Sequence, residues 1–229
     1  MVLELVPANR STKLQQIGIF CGTFNPIHNG HLLIAECARD QFGLNKVIFV
    51  TSPAPPHRQD ELLDGHARHK LVEAAVADND DFEASDLELK RIGKSYTVDT
   101  LEHMQTKYGA GTKLNLIIGG DNLSTLHTWN RIDRILELAR ILVVPRLRYK
   151  SEQTDGHYLV GTEDGAKNPA LDGGDIVEVD FPGIAISGSK IRERIFQKKT
   201  VLYMVPRAVN DLILKHKYFA QQTPSGAIL

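Results

Sequence analysis

IGIFCGTFNPIHNGH, residues 17–31, is the stretch whose reading decides the fold. Ile17, Ile19 and Phe20 are the alternating, partly β-branched apolar residues of a buried strand. Gly22 breaks that pattern, and Thr23, Phe24, Asn25 and Pro26 are residue types that suit a tight turn. After Asn29 and Gly30 the spacing becomes helical, through His31, Leu32, Ile34, Ala35, Ala38 and Phe42. A strand therefore runs through a turn into a helix start, where unpaired backbone N–H groups and the helix dipole favour a phosphate. Neither GxGxxG nor GxxxxGK[ST] is present, but His28-Asn29-Gly30-His31 fits an HxGH pattern. Two histidines at this spacing are also zinc-ligand types. No third ligand stands in a recognisable pattern, however, and His-Glu-x-x-His is absent.

A second helix start lies near the C-terminus, in Ile186 to Ile191 (ISGSKI) followed by Arg192. Ser187 or Ser189 can cap a helix whose Ile191, Ile195 and Phe196 share a face. Two hydroxyls, Lys190 and Arg192 make this another anion site, although a capped, solvated basic turn would read the same way. Taken together, GTFNPIHNGH and ISGSKIR resemble the paired signatures of the nucleotidyltransferase superfamily that carries HxGH and ISSTxIR motifs.

The 229 residues leave room for one α/β domain with a small appendage. A net charge of −1 gives no broad grip on nucleic acid. Cys21 and Cys37 make no disulfide framework and suit a reducing compartment, so a cytoplasmic protein is expected. Residues 1–15 hold no long apolar run and read as a loose extension rather than a leader or a membrane span.

Along the chain, Lys46–Thr51 is a second strand, which leaves through the proline-stiffened SPAPPHR with His57 and Arg58. Arg68–Ala77 reads as a helix and Phe82–Lys90 as short extended pieces. Ser95 or Thr97 can cap a helix running through Leu101, Met104 and Tyr108. Leu114–Ile118 is a core strand ending in Gly119-Gly120-Asp121, a carboxylate at a sheet edge. Leu123–Trp129 reads as a helical turn, Ile132–Leu138 as a helix and Ile141–Val144 as a strand. Residues 146–174 read as a polar insertion with a short extended piece at Tyr158–Val160, before a last strand at Ile176–Val179. The order implies an α/β fold, a Rossmann-like doubly wound parallel sheet over 16–186. A small C-terminal helical subdomain (187–219) and a tail (220–229) follow.

Several further blocks narrow the resemblance: PPHR, SYTVDTL, IIGGDNL with HTW, and VPRAV, in order between Ile17 and Phe219. With them the chain resembles the nicotinate-mononucleotide adenylyltransferases of NAD synthesis. It departs where Arg58 replaces a usual lysine, where Gly188-Ser189 replaces Ser-Thr, and in its longer polar insertion. The resemblance implies adenylyl transfer between ATP and nicotinate mononucleotide, with Mg²⁺ carried mainly by the ATP phosphates and no protein metal ligand. It implies His28, His31 and Arg192 as catalytic residues. Gly22, Thr23, Phe24, Gly30, Arg58, Ser187 and Ser189 would contact ATP and its phosphates. Asn25, Tyr96, Thr97, Asp121 and Trp129 would contact the mononucleotide. Small molecules are the expected partners, with neither nucleic acid nor membrane; a homo-oligomer stays open. The alternatives are an amide-form or pantetheine-phosphate adenylyltransferase, a non-catalytic nucleotide sensor, or an aminoacyl-tRNA synthetase fragment. The SYT and HTW blocks, the intact His31 and Arg192, and the short chain without a basic face count against them in turn.

Overall fold

The structure is a computed structural model and describes residues 15–53, 62–145, 147–148, 159–160 and 175–221. Residue 58, most of the polar stretch, the first fourteen residues and the tail beyond 221 lie outside this set. The chain runs β1 (Gln16–Gly22), α1 (Asn29–Phe42), β2 (Lys46–Thr51), α2 (Gly65–Val76), β3 (Phe82–Ser85), α3 (Thr97–Tyr108) and β4 (Lys113–Gly119). A 3-10 segment, Gly120–Thr128, leads to α4 (Ile132–Leu138) and β5 (Ala139–Val144). Two short strands, β6 (Leu147–Arg148) and β7 (Leu159–Val160), pair antiparallel within the polar stretch. Then come β8 (Ile176–Glu178), α5 (Gly188–Phe196) and α6 (Arg207–His216).

Six strands form one parallel sheet in the order β3-β2-β1-β4-β5-β8. The chain winds outward from β1 to one side, then returns to β4 and winds to the other. This is the doubly wound α/β fold expected from the sequence, with its switch point between β1 and β4. Alternation along the strands feeds two cores. Ile17, Ile19, Ile48, Val50, Leu116 and Ile118 meet Val98, Leu101 and Met104 of α3 and Ile135 of α4 on one face. Phe20, Val47, Phe49, Ile117 and Leu142 meet Ala35 and Ala38 of α1 and Leu71 and Ala75 of α2 on the other. Because both faces are covered, the strands need near-continuous apolar sequence, which is what residues 47–50 and 114–118 supply. Ile191 of α5 and Val209 and Ile213 of α6 belong to the second of these cores. No helix among the described residues is long and apolar enough to cross a membrane.

Helix α2 opens at Gly65, three residues before the expected start. Asp64 caps it, accepting from His66 N at 3.0 Å and Ala67 N at 3.1 Å. This cap sets where the first turn of α2 sits, and that turn carries Arg68. Asp64→Ala is expected to lower stability by about 1 kcal/mol, a fall of roughly 2–4 °C in Tm. Differential scanning calorimetry of the two proteins checks this; an unchanged Tm would show that the cap contributes nothing.

Candidate active site

Parallel pairing sends the carboxyl ends of β1, β4 and β5 to one edge of the sheet, and a cleft of about 590 Å³ opens there. That volume is in the range of small-molecule sites. Its walls come from the turn after β1 (Gly22, Thr23, Phe24, Asn25), the start of α1 (His28, Gly30, His31) and the start of α3 (Thr97). Asp121 and Trp129 from the 3-10 segment complete them, with Ser187, Ser189 and Arg192 at the start of α5. These are the residues singled out in the sequence, except for two. Arg58 lies outside the described residues. Tyr96 does not line the cleft: it is the N-cap residue of α3 and is 39% exposed. Asn122, Phe181, Ile184 and Ile186 also line it and were not anticipated.

The turn after β1 is held in an unusual shape. Phe24 has φ of +42°, a left-handed conformation that side-chain-bearing residues rarely adopt. Its ring packs edge-on against Phe20 (5.7 Å, 90°) and His31 (5.1 Å, 90°), so the aromatic cluster offsets the backbone strain. Gly22 makes room, since a Cβ there would sit 2.9 Å from the Phe24 ring. Beside it, Asn25 accepts from Leu63 N through Oδ1 at 3.2 Å.

His28 is the N-cap residue of α1 and His31 its third helical residue; their rings stack with centroids 3.7 Å apart. His31 Nδ1 accepts the His28 backbone N–H at 3.2 Å. That bond fixes the neutral His31 ring with its hydrogen on Nε2, a tautomer that can donate to an anionic oxygen. Burial keeps both rings neutral. It lowers the His28 pKa to about 4. His31 is held well below the usual histidine value by burial and, secondarily, by the neighbouring His28. The side-chain atoms Asn25 Nδ2 and His28 Nδ1 are buried without partners. Unsatisfied polar atoms on the lining of a cleft are what a site waiting for a polar ligand presents.

Three helix starts meet here, each by a different local arrangement. At α1 the first N–H is already taken, because Asn29 N donates to Met204 O at 3.0 Å and Asn29 Nδ2 to Tyr203 O at 2.7 Å. His31 N donates to His28 O, which leaves the Gly30 N–H as the open donor. At α5, Ser187 is the N-cap, as expected, and accepts from Lys190 N at 3.3 Å. Arg192 ties this helix to the turn: Nη1 donates to Asn25 O at 2.8 Å and Nη2 to Ser189 Oγ at 3.3 Å. Gly188 passes so close to Asn25 that a Cβ would lie 2.9 Å from its carbonyl oxygen, which accounts for glycine at this position.

At α3 neither Ser95 nor Thr97 caps, contrary to expectation; no side chain bonds the helix start. Ser95 Oγ is instead taken by Arg91, which also reaches Thr100 Oγ1 at 3.3 Å. Thr100 in turn donates to the buried Glu88 at 2.8 Å. A side-chain network thus braces the start of α3, where no side chain caps the first N–H groups and Thr97 lines the cleft.

The neutral rings carry a pH signature. An unfolded histidine takes its proton near pH 6.5. Folding with a lowered pKa is therefore penalised as pH falls from about 6.5 toward the folded values. In the ligand-free protein, NMR is expected to show the His28 ring half-protonated near pH 4 and His31 well below 6.5, with the hydrogen of neutral His31 on Nε2. Ordinary titration of both rings near 6.5 would contradict the burial argument.

Known proteins share the sequence and the fold of this chain. Residues 19–194 match the family described as Cytidylyltransferase-like. A probable nicotinate-nucleotide adenylyltransferase of Clostridium tetani is 36% identical over 204 residues, covering 89% of this chain and 98% of the relative. One from Moorella thermoacetica is 36% identical over 207 residues, covering 90% and 92%. Among solved structures, the Plasmodium falciparum nicotinic acid mononucleotide adenylyltransferase complexed with NaAD superposes with a TM-score of 0.68. That match covers 91% of this chain and 98% of the other at 15% identity, so it speaks for the fold. On the family match and the full-length relatives, this chain belongs to the cytidylyltransferase-like family, among its nicotinate-nucleotide adenylyltransferases.

Proposed function

We propose that this cleft joins ATP to nicotinate mononucleotide, giving nicotinate adenine dinucleotide and pyrophosphate for NAD synthesis. One observation carries the assignment of roles: three helix starts with open backbone N–H groups converge on a single cleft. Two of them, α1 and α5, are tied together through Asn25 and Arg192 and suit a triphosphate lying between them. The third, α3, suits a second, separate anion. The mononucleotide phosphate attacks the α-phosphorus of ATP, and pyrophosphate departs with the electron pair of the broken P–O bond. No side-chain nucleophile is needed, so the protein contributes positioning and charge stabilisation.

In this reading His31 donates Nε2–H to an oxygen of the transferred phosphate, and His28 lies stacked behind it. Gly30, Ser187, Ser189 and Arg192 hold the leaving pyrophosphate portion. Gly22, Thr23 and Phe24 offer backbone contacts to ATP. Asp121 takes a ribose, Trp129 stacks on the nicotinate ring, and Asn25 and Thr97 complete the mononucleotide side. Tyr96 contributes there through its backbone at the start of α3. Mg²⁺ belongs to the proposal as the ion that arrives on ATP. The described residues include no group of three or more His, Cys, Asp or Glu able to cage a metal. Such an ion would be held by phosphate oxygens and water. The two free cysteines suit a reducing, cytoplasmic setting.

The start of α3 also predicts which mononucleotide is used. Open N–H groups favour the ring carboxylate of the acid form over the amide, whose NH₂ would face them donor to donor. One such bond differs by roughly 1.5–3 kcal/mol, about tenfold or more in kcat/KM. Pyrophosphate release with ATP, Mg²⁺ and each mononucleotide measures the ratio. At least tenfold preference for the acid form is expected. Parity, or preference for the amide, would overturn the role given to α3, and no pyrophosphate with either would overturn the reaction.

A further inference from the structure

Arg68 is the largest fully buried side chain, with no exposed surface, and it is the only fully buried cation among the described residues. Burial lowers its pKa from the ordinary guanidinium value. No carboxylate among the described residues forms an ion pair with it; its partners are backbone carbonyls from three separate segments. Nε donates to Leu63 O at 2.9 Å. Nη1 donates to Ser52 O at 2.9 Å and, in a shorter contact, to Thr23 O. A buried charge bonded to carbonyl oxygens, with the Asp64 carboxylate attracting it through space, is an expensive arrangement, and what it gains here is geometry.

The bond to Thr23 has a consequence one atom further along the chain. Thr23 and Phe24 line the cleft, whereas Arg68 does not and lies wholly inside the protein. The Thr23 carbonyl therefore points inward to the guanidinium. The Thr23–Phe24 peptide is trans, so its N–H points the opposite way from its C=O. The Phe24 N–H is thereby turned away from the buried guanidinium. Phe24 is also the residue with φ of +42°, where this peptide could relax by turning over. The same guanidinium holds Ser52, at the carboxyl end of β2, and Leu63, whose own N–H is bound by the cleft residue Asn25.

We propose that Arg68 is a positioning residue for ATP: by holding the Thr23 carbonyl inward it keeps the Phe24 N–H facing the cleft as a phosphate donor. This rests on the reading of the cleft given above. Arg68→Lys tests it, because lysine keeps the charge but lacks the planar fork that reaches several carbonyls at once. Affinity for a non-hydrolysable ATP analogue, by calorimetry, is expected to weaken about tenfold or more. KM for ATP is expected to rise by a similar factor, with KM for nicotinate mononucleotide within about threefold of wild type. A merely structural role would lower Tm and the active fraction without separating the two substrates. Unchanged ATP affinity, or equal losses for both substrates, would overturn the proposal. Failure of the wild-type protein to bind the analogue would instead overturn the reading of the cleft. A crystal structure of the wild-type protein with the analogue tests the same point without a variant. The Phe24 nitrogen is expected about 3 Å from a phosphate oxygen; a Phe24 N–H turned away from the phosphates would overturn the proposal.

Discussion

A helix cannot satisfy its own first N–H groups, and that constraint organises this molecule. The parallel sheet delivers the starts of α1, α3 and α5 to one edge, and the unmet donors collect around one cleft. Their number is trimmed locally. Met204 and the His28 carbonyl occupy two donors at α1, and Ser187 occupies one at α5. What remains is a small set of backbone N–H groups beside the cleft, joined by two histidine rings that burial keeps neutral. Neutral donors of this kind suit a reaction in which negative charge shifts between phosphate oxygens and no bond to the protein forms.

Such a site needs rigid loops, and the rigidity comes from contacts distant in sequence. Arg68 gathers the turn after β1, the end of β2 and the entry to α2. Arg192 fastens α5 to the same turn. The Tyr203 and Met204 carbonyls fasten the 201–205 turn to the start of α1. The strained Phe24 is gripped by aromatic neighbours on the other side. The cleft is thus built on a backbone locked from several directions, which is what positioning catalysis asks of a scaffold.

The fold and the helix starts that line the cleft were legible because their signals are local. Strand alternation, the glycine break and helical spacing all fall within residues 17–42, and the cap at Ser187 is read within four residues. What was not legible depends on pairings the sequence does not announce. Arg68 stands on the apolar stripe with Leu71 and Ala75, a charged residue on a buried face. That hints at burial, but its carbonyl partner Thr23 is 45 residues away. The start of α3 was located while its cap was misassigned. Ser95 and Thr97 are good capping types, but Arg91 claims the Ser95 hydroxyl. Tyr96 was placed on the mononucleotide side from its block, and the structure makes it the exposed N-cap residue of α3.

In the proposed reaction separate helix starts read separate anions. Backbone amide NMR of the wild-type protein, titrated first with a non-hydrolysable ATP analogue and then with nicotinate mononucleotide, tests it most directly. The analogue is expected to move the Gly30, Gly188 and Ser189 amides, and the mononucleotide to move Thr97. Both ligands perturbing the same amides, or neither reaching these helix starts, would contradict it.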